Sequence, residues 1–594
     1  MQQNKEQKLQ KSRDRAEELF AHTPIRKAIW IVAVPSLLIT LMIGLYSFVD
    51  QVFIQQFVPR TKVVMRPGDG VVASELGELS AYLQGSFYSV ENYLDLLQKY
   101  NSISGVAQIV QINANSIVSA TNAGAQPILI FSNSIVFLVP LGASIYYTKC
   151  LSKKMHNAAR NMWATMFWVT IALSLVATLL VIVFIVSGIF KLLVGQTKID
   201  QAVALANGFT TFQVEQLQAY YNAAFQLSID WAKEFTYVYA SGTVLQGLVT
   251  LLSFFIRAEG FNTYTMGVGI VANLINIALD ALFIIVFHLG ILGGALATLI
   301  GWAFNVFCYV IYIQSKHKKQ EMLMSMNQVV RFKFAKELLA PTFLLGLGGF
   351  IRSFGVSFSF FVLNILITKP NFADPGHFQF YWAKSTPIIT LFLISVFGIS
   401  DGARSLLQYN YTRRDFKRCK EVYLWTIVVS ITYAVLVYLF ILGTAGNLWV
   451  LALNVTEKMR AATAQFIQIM TLRIVTTSLS VCSLLAFQGT NNIEKSLLAA
   501  ALENFVSFLI IIPLGFGFAM WAWNSKGDKY LANWILMGTF LLNSLIASTT
   551  LLLLSRRYIY KVLPKINDQK LSWSRKIEHK FFESAMLYEA KQGY

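Results

Sequence analysis

Cysteine is nearly absent from this chain. Four residues in 594, Cys150, Cys308, Cys419 and Cys482, stand too far apart for a disulfide framework or a metal-ligand spacing. The six histidines are equally scattered, so no metal site can be read. Charge is scarce too: 13% of residues are Asp, Glu, Lys or Arg, against about 25% in a soluble domain. That excludes an ordinary water-solvated fold. No G-x-x-x-x-G-K-[ST] loop occurs, so the chain carries no phosphate cradle of that kind for ATP. "LGLGG" (345–349) lies inside an apolar run, where small residues serve close helix packing. A nucleophile elbow and a zinc-protease motif are also missing, and the chain is not expected to be an enzyme or to hold a cofactor.

What fills the sequence instead is apolar surface, at 55% hydrophobic residues. Runs of the roughly 20 residues needed to cross a bilayer recur along the chain. About twelve are expected by hydropathy, at 28–57, 116–146, 163–190, 236–256, 264–288, 290–314, 338–367, 385–407, 421–445, 463–487, 496–520 and 531–555. The first is too long for a signal-peptide core and lacks a small-residue cleavage site, so it is expected to be retained. The fold class expected is an all-α integral membrane protein.

The net charge of +19 is placed in alternate connections. Lys and Arg cluster in the first 27 residues, then at Lys149–Arg160, Lys316–Lys336 and Arg413–Lys420, and in the tail from Arg556. Intervening connections carry acids such as Glu75, Glu78, Glu91 and Asp95, or Asp200, Glu215, Asp230 and Glu234. This is the positive-inside pattern of an even number of spans with both termini in the cytoplasm. The basic excess then faces anionic lipid headgroups, not nucleic acid, and a multi-pass protein of the plasma membrane is expected.

The chain reads as two halves. A cytoplasmic segment (1–27) precedes six spans (28–314), a basic linker (315–337) joins them to six more (338–555), and a basic amphipathic tail (556–594) follows. "PIRKAIWIVAVPSLLITLMIGLYSFVDQVFI" (24–54) and "FAKELLAPTFLLGLGGFIRSFGVSFSFFVLNILI" (334–367) open the halves alike. An even number of spans per repeat gives parallel repeats, two six-helix lobes related by a pseudo-two-fold along the membrane normal, and such proteins bind cargo between repeats. Two outer connections, 58–115 and 196–235, break the regularity as a lid or a decoration; 74–100 shows helical apolar spacing. The tail is expected to lie on the membrane surface.

Ionisable residues inside spans are the best functional pointers, since each costs free energy in lipid. Asp50 and Asp280 fall in the outer half of the first and fifth spans. Asn276 shares a helix face with Asp280, four residues away, and Thr298 of the sixth span lies at similar depth. Together they make an oxygen-rich pocket able to hold a proton or a hard cation; the alternative is a protonated Asp hydrogen-bonded as packing glue. In the second half, Arg352 and Arg473 stand mid-span and call for a buried partner, a wet cavity or an anionic ligand. Asn410 and Gln488 complete the candidates for a cargo cleft.

"LYSFVDQVFI" (45–54), "FIRAEG" (255–260), "NLINIALDALFI" (273–284) and "GILGGALATLIGW" (290–302) resemble the corresponding helices of the multidrug and toxic compound extrusion (MATE) transporters. "GISDGARSLLQYNY" (398–411), "TLRIVTTSLSVCSLLAFQGTNN" (471–492) and "IIIPLGFGF" (510–518) resemble its later ones. The resemblance implies alternating access and export of amphipathic compounds in exchange for H+ or Na+. It also implies a cation site at Asp50, Asn276, Asp280 and Thr298. The chain departs from the family at Ala281, where a proline is common, and in "NYTR" (410–413). Spans 338–367 and 463–487 carry arginines where some branches carry carboxylates. Two other readings are a flippase for an anionic lipid or lipid-linked precursor, using Arg352 and Arg473, and a membrane-embedded lipid-modifying enzyme. The expected partners are an amphipathic small molecule or lipid and anionic membrane lipids, with the chain itself a monomer.

Overall fold

The computed structural model describes residues 21–61, 77–83, 88–103, 109–152, 155–259, 261–330, 339–367, 375–490, 492–527, 529–565 and 573–592. These residues are helical, with no strand among them. In chain order the main helices are α1 (Ile25–Thr61), α2 (Val90–Asn101), α3 (Ala114–Val136), α4 (Pro140–Ser152), α5 (His156–Val186), α6 (Thr211–Ser241), α7 (Thr243–Ala258), α8 (Asn262–Asp280) and α9 (Ile291–Lys318). Then come α10 (Leu339–Ile367), α11 (Pro375–Thr412), α12 (Phe416–Thr444), α13 (Glu457–Gly489), α14 (Ile493–Ala501), α15 (Ser507–Lys526), α16 (Lys529–Arg557) and α17 (Trp573–Gln592).

Nine of the described helices are long and apolar enough to cross a membrane, or ten if the α6–α7 pair, bent by 46°, counts as one span. The protein is a multi-pass membrane protein. The two expected spans outside that count fall on α3–α4, interrupted at 137–139, and on α14–α15, interrupted by a wider turn at Leu502–Val506.

Two seams join the first half of the chain to the second. Along α1 and α11, Gly398 and Gly402 lie against Thr40 and the Val32 and Ser36 carbonyls, while Gly44 lies against Leu391. A Cβ on Gly402 would stand 2.5 Å from the Val32 oxygen, so only glycine lets the helices approach this closely. At the second seam Gly346 of α10 sits on the Leu138 carbonyl and Gly142 of α4 on that of Thr342.

The described parts of the two long connections fold together over the end of the molecule away from the basic clusters. Within 74–100 the helix covers Val90–Asn101, capped by Ser89, and a tighter turn covers Gly77–Tyr82. Tyr93, Tyr100, Tyr220, Tyr221 and Trp231 form an aromatic core with Ile54, Ile284 and Ile291 beneath it. Hydrogen bonds from Tyr220 to the Ser89 carbonyl (2.8 Å), from Tyr221 to the Val110 carbonyl (2.6 Å) and from Trp231 Nε1 to Glu78 (2.9 Å) fix the arrangement.

The tail departs from expectation. Its helix α17 buries Phe581 and Ala585 against the basic end of the protein, with the Phe581 ring 4.5 Å from that of Tyr146. Part of the apolar face expected to meet lipid meets protein, while Met586 and Leu587 stay exposed.

Candidate functional site

The acids of α1 and α8 come together because α9 can approach them. A Cβ on Gly294 would lie 3.2 Å from Asp50 Oδ1, and Gly301 passes the Asn276 side chain. Asp50 and Asp280 face each other within hydrogen-bonding reach. Asp280 is fully buried and Asn276 is 3% exposed, with the Asn276 amide 3.4 Å from Thr298 Oγ1. Asp50 Oδ1, both Asp280 oxygens and Asn276 Oδ1 receive no hydrogen bond among the described residues. Buried acceptors without donors are rare and costly. Two carboxylates facing each other away from water repel unless a proton or a cation lies between them.

Tyr46, one turn before Asp50, lies within electrostatic range of both acids. Tyr239 of α6 lies within range of Asp50; its hydroxyl donates to Asn133 Oδ1 (3.1 Å) and accepts from Gln246 Nε2 (3.3 Å). These residues were not singled out in the sequence, where tyrosine in an apolar run carries no distinguishing signal. No group of three or more His, Cys, Asp or Glu occurs among the described residues, so the niche offers two acids plus neutral oxygens.

A second feature lies where α1, α3 and α11 meet. A cavity of about 80 Å3 is lined by Ser47 and Gln51 of α1, Asn122 and Gln126 of α3, and Thr386 and Thr390 of α11. Beside it, between Ala383 and Thr386 of the lining, stands Lys384 of α11, fully buried. Its Nζ donates to Gln55 Oε1 (2.6 Å), Asn115 Oδ1 (2.6 Å) and the Leu453 carbonyl (2.7 Å). Lys384 lies one residue before the expected span 385–407, where a lysine reads as a flank reaching for headgroups.

The cleft candidates of the second half do not converge. Asn410, 1% exposed, donates to the Leu406 carbonyl (2.8 Å) and accepts from Arg418 Nε (3.1 Å), fixing the turn after α11. Gln488 is half-buried near the basic end of α13. The Arg473 guanidinium finds no hydrogen bond or ion pair among the described residues and feels Glu503 at longer range. Glu503 accepts from Ser480 (3.0 Å). The Arg352 side chain lies outside the described residues. Asp401 and Arg404 pair on one helix face.

"FIRAEG" has a structural use. Glu259 accepts from the amides of Leu323 (2.8 Å) and Met324 (3.0 Å) and from the Tyr147 hydroxyl (2.5 Å). Burial pushes its carboxyl above the usual range, against the pull of these donors. The contacts tie the α7–α8 turn to the linker between the halves.

No protein-family model matches the chain. An uncharacterised protein of Mycoplasmoides gallisepticum is 25% identical over 523 residues, 84% of each chain. The multidrug export protein MepA of Staphylococcus aureus is 28% identical over 234 residues, 39% of this chain and 48% of MepA. An inward-facing structure of a MATE family transporter superposes with a TM-score of 0.58 at 17% identity, covering 82% of this chain and 99% of the other. The chain has the MATE fold. In the MATE fold of this protein, the acid niche lies within helices of the first half, and the cavity lies between α1 and α3 of that half and α11 of the second.

Proposed function

We propose that this protein is a secondary exporter of amphipathic small molecules that runs by H+ or Na+ antiport. Twelve spans in two six-helix lobes would expose the cavity to the two sides of the plasma membrane in turn, with both termini in the cytoplasm. The observation that carries the reading is the set of four oxygens on Asp50, Asp280 and Asn276 without a donor among the described residues, brought together by two helices, α1 and α8, against α9. A proton or a monovalent cation supplies what those oxygens lack, and the carboxylates repel again when it leaves. That difference in free energy is the kind that shifts an equilibrium between two conformations. Asn276 and Thr298 serve as neutral ligands. The fold likeness to an inward-facing MATE transporter and the partial match to a multidrug export protein support export as the direction.

The test is efflux from reconstituted vesicles under an imposed proton or sodium gradient. Asp280→Asn and Asp50→Asn are each expected to abolish gradient-driven efflux while leaving the protein folded, because Asn fills the same volume. Full efflux in both variants would refute the assignment.

A further inference from the structure

A buried ammonium group costs several kcal/mol unless a counter-charge or good hydrogen bonds compensate it. Lys384 has only neutral oxygens, from Gln55, Asn115 and Leu453, and the Phe380 ring 5.1 Å away. Among the described residues no carboxylate pairs with it. The Gln55 side chain shares the difficulty. Gln55 is 1% exposed, its oxygen is taken by Lys384, and its amide nitrogen has no acceptor among the described residues. Two kinds of donor therefore meet in one buried place without a matching anion.

The place adjoins the cavity. Gln55 is one turn beyond Gln51 on α1, Asn115 lies two turns before Asn122 on α3, and Lys384 stands between Ala383 and Thr386 of the lining on α11. The lining side chains are neutral. Gln55 and Asn115 belong to the first half of the chain, Lys384 to the second. A separation of the halves at this end would withdraw the Gln55 and Asn115 oxygens from the ammonium. It would leave two of the three N–H groups of Lys384 without partners, beside a cavity with no carboxylate in its lining.

We propose that Lys384, with the Gln55 amide beside it, binds an anionic group of the cargo, a carboxylate or phosphate ester, and makes this transporter selective for anionic over cationic amphiphiles. The inference rests on the alternating-access reading above and names its cargo class. In the closed form the Gln55 and Asn115 oxygens substitute for the anion; in the open form the cargo does.

The experiment is equilibrium binding of two dyes to the purified full-length protein in detergent, followed by fluorescence anisotropy: carboxyfluorescein as the anionic probe, ethidium as the cationic one. The wild type is expected to bind carboxyfluorescein in preference to ethidium. Lys384→Gln should weaken carboxyfluorescein binding by roughly tenfold or more, the scale of a charge-assisted contact, and Lys384→Arg should retain it. A matched thermal unfolding curve for each variant separates lost binding from lost fold; if Lys384→Gln does not fold, the dye preference of the wild type and the retention in Lys384→Arg decide. Preference for ethidium, binding of neither dye, or carboxyfluorescein binding that survives in folded Lys384→Gln overturns the proposal. The dye measurement imposes no gradient. Failure of ion coupling therefore shows in vesicles, and failure of the cargo class shows here.

Discussion

Glycine carries several close helix contacts among the described residues. A Cβ on Gly346 would stand 1.6 Å from the Leu138 carbonyl oxygen, and backbone does not give way as a flexible side chain does. Gly346→Ala should therefore destabilise by about 1–3 kcal/mol through overpacking, read as a lowered thermal unfolding midpoint in detergent. Gly538, inside α16 with open space where its Cβ would go, is the control; Gly538→Ala should be neutral or slightly stabilising, since alanine is the better helix former. The same scale explains which site residues were visible in the sequence. Asp50, Asn276, Asp280 and Thr298 stand out because a polar group in a lipid-length run is expensive and therefore has a reason. Lys384 does not, because a lysine at the end of such a run has a cheap way out into the headgroups. Only the packing of α1, α3 and the turn after α12 around it closes that route. Asn410 misleads in the opposite sense: a buried amide looks functional in sequence, but Leu406 and Arg418 occupy it.

At the scale of elements, α17 completes another helix. The residue before α5, Met155, has no side chain able to cap it, so the first amides of α5 lack a partner of their own. Glu589 of α17 supplies one, accepting from Asn157 N (3.2 Å) and Ala158 N (2.9 Å), with its negative charge at the positive end of the α5 dipole. Glu589→Arg should undock α17 by reversing that charge, at a cost of about 1 kcal/mol or more. Limited chymotrypsin digestion should then cleave within the tail faster than in the wild type; an unchanged digestion rate would mean that Phe581 and Ala585 hold the helix alone. The amphipathic pattern of 572–590 was legible, but its partner was not, because an apolar stripe fits a protein groove as well as it fits lipid. The connections at 58–115 and 196–235 teach the same lesson. The helical spacing before residue 100 corresponds to α2, whereas the bond from Tyr220 to the Ser89 carbonyl joins residues 131 apart and leaves no periodic trace.

For the whole molecule, the halves are joined at both ends of the cavity. Toward the basic end lie the glycine seams of α1 with α11 and of α4 with α10. Toward the insertions, Gln56 Nε2 donates to the Leu451 carbonyl (2.5 Å) and the Ala452 carbonyl (2.9 Å), Asn454 Nδ2 donates to the Gln55 carbonyl (3.1 Å), and Asn115 Nδ2 donates to the Asn454 carbonyl. These bonds cross between the halves of the chain, and several end on one turn, 451–454; this polar part of the closure at this end stands beside apolar contacts such as the Phe48–Trp449 ring pair. The polar part costs little to break, because water replaces each bond on opening. It costs much to prevent from breaking if transport needs it open. Cysteines at Gln56 and Ala452, joined by a short thiol-reactive cross-linker, should arrest efflux with the cargo cavity shut on this side. Cleaving a reducible linker should restore it. Three of the four native cysteines are buried and the fourth partly so, and each single-cysteine variant treated alike reports any background. Efflux that continues at the wild-type rate with the link fully formed would show that cargo does not leave between α1 and the 451–454 turn.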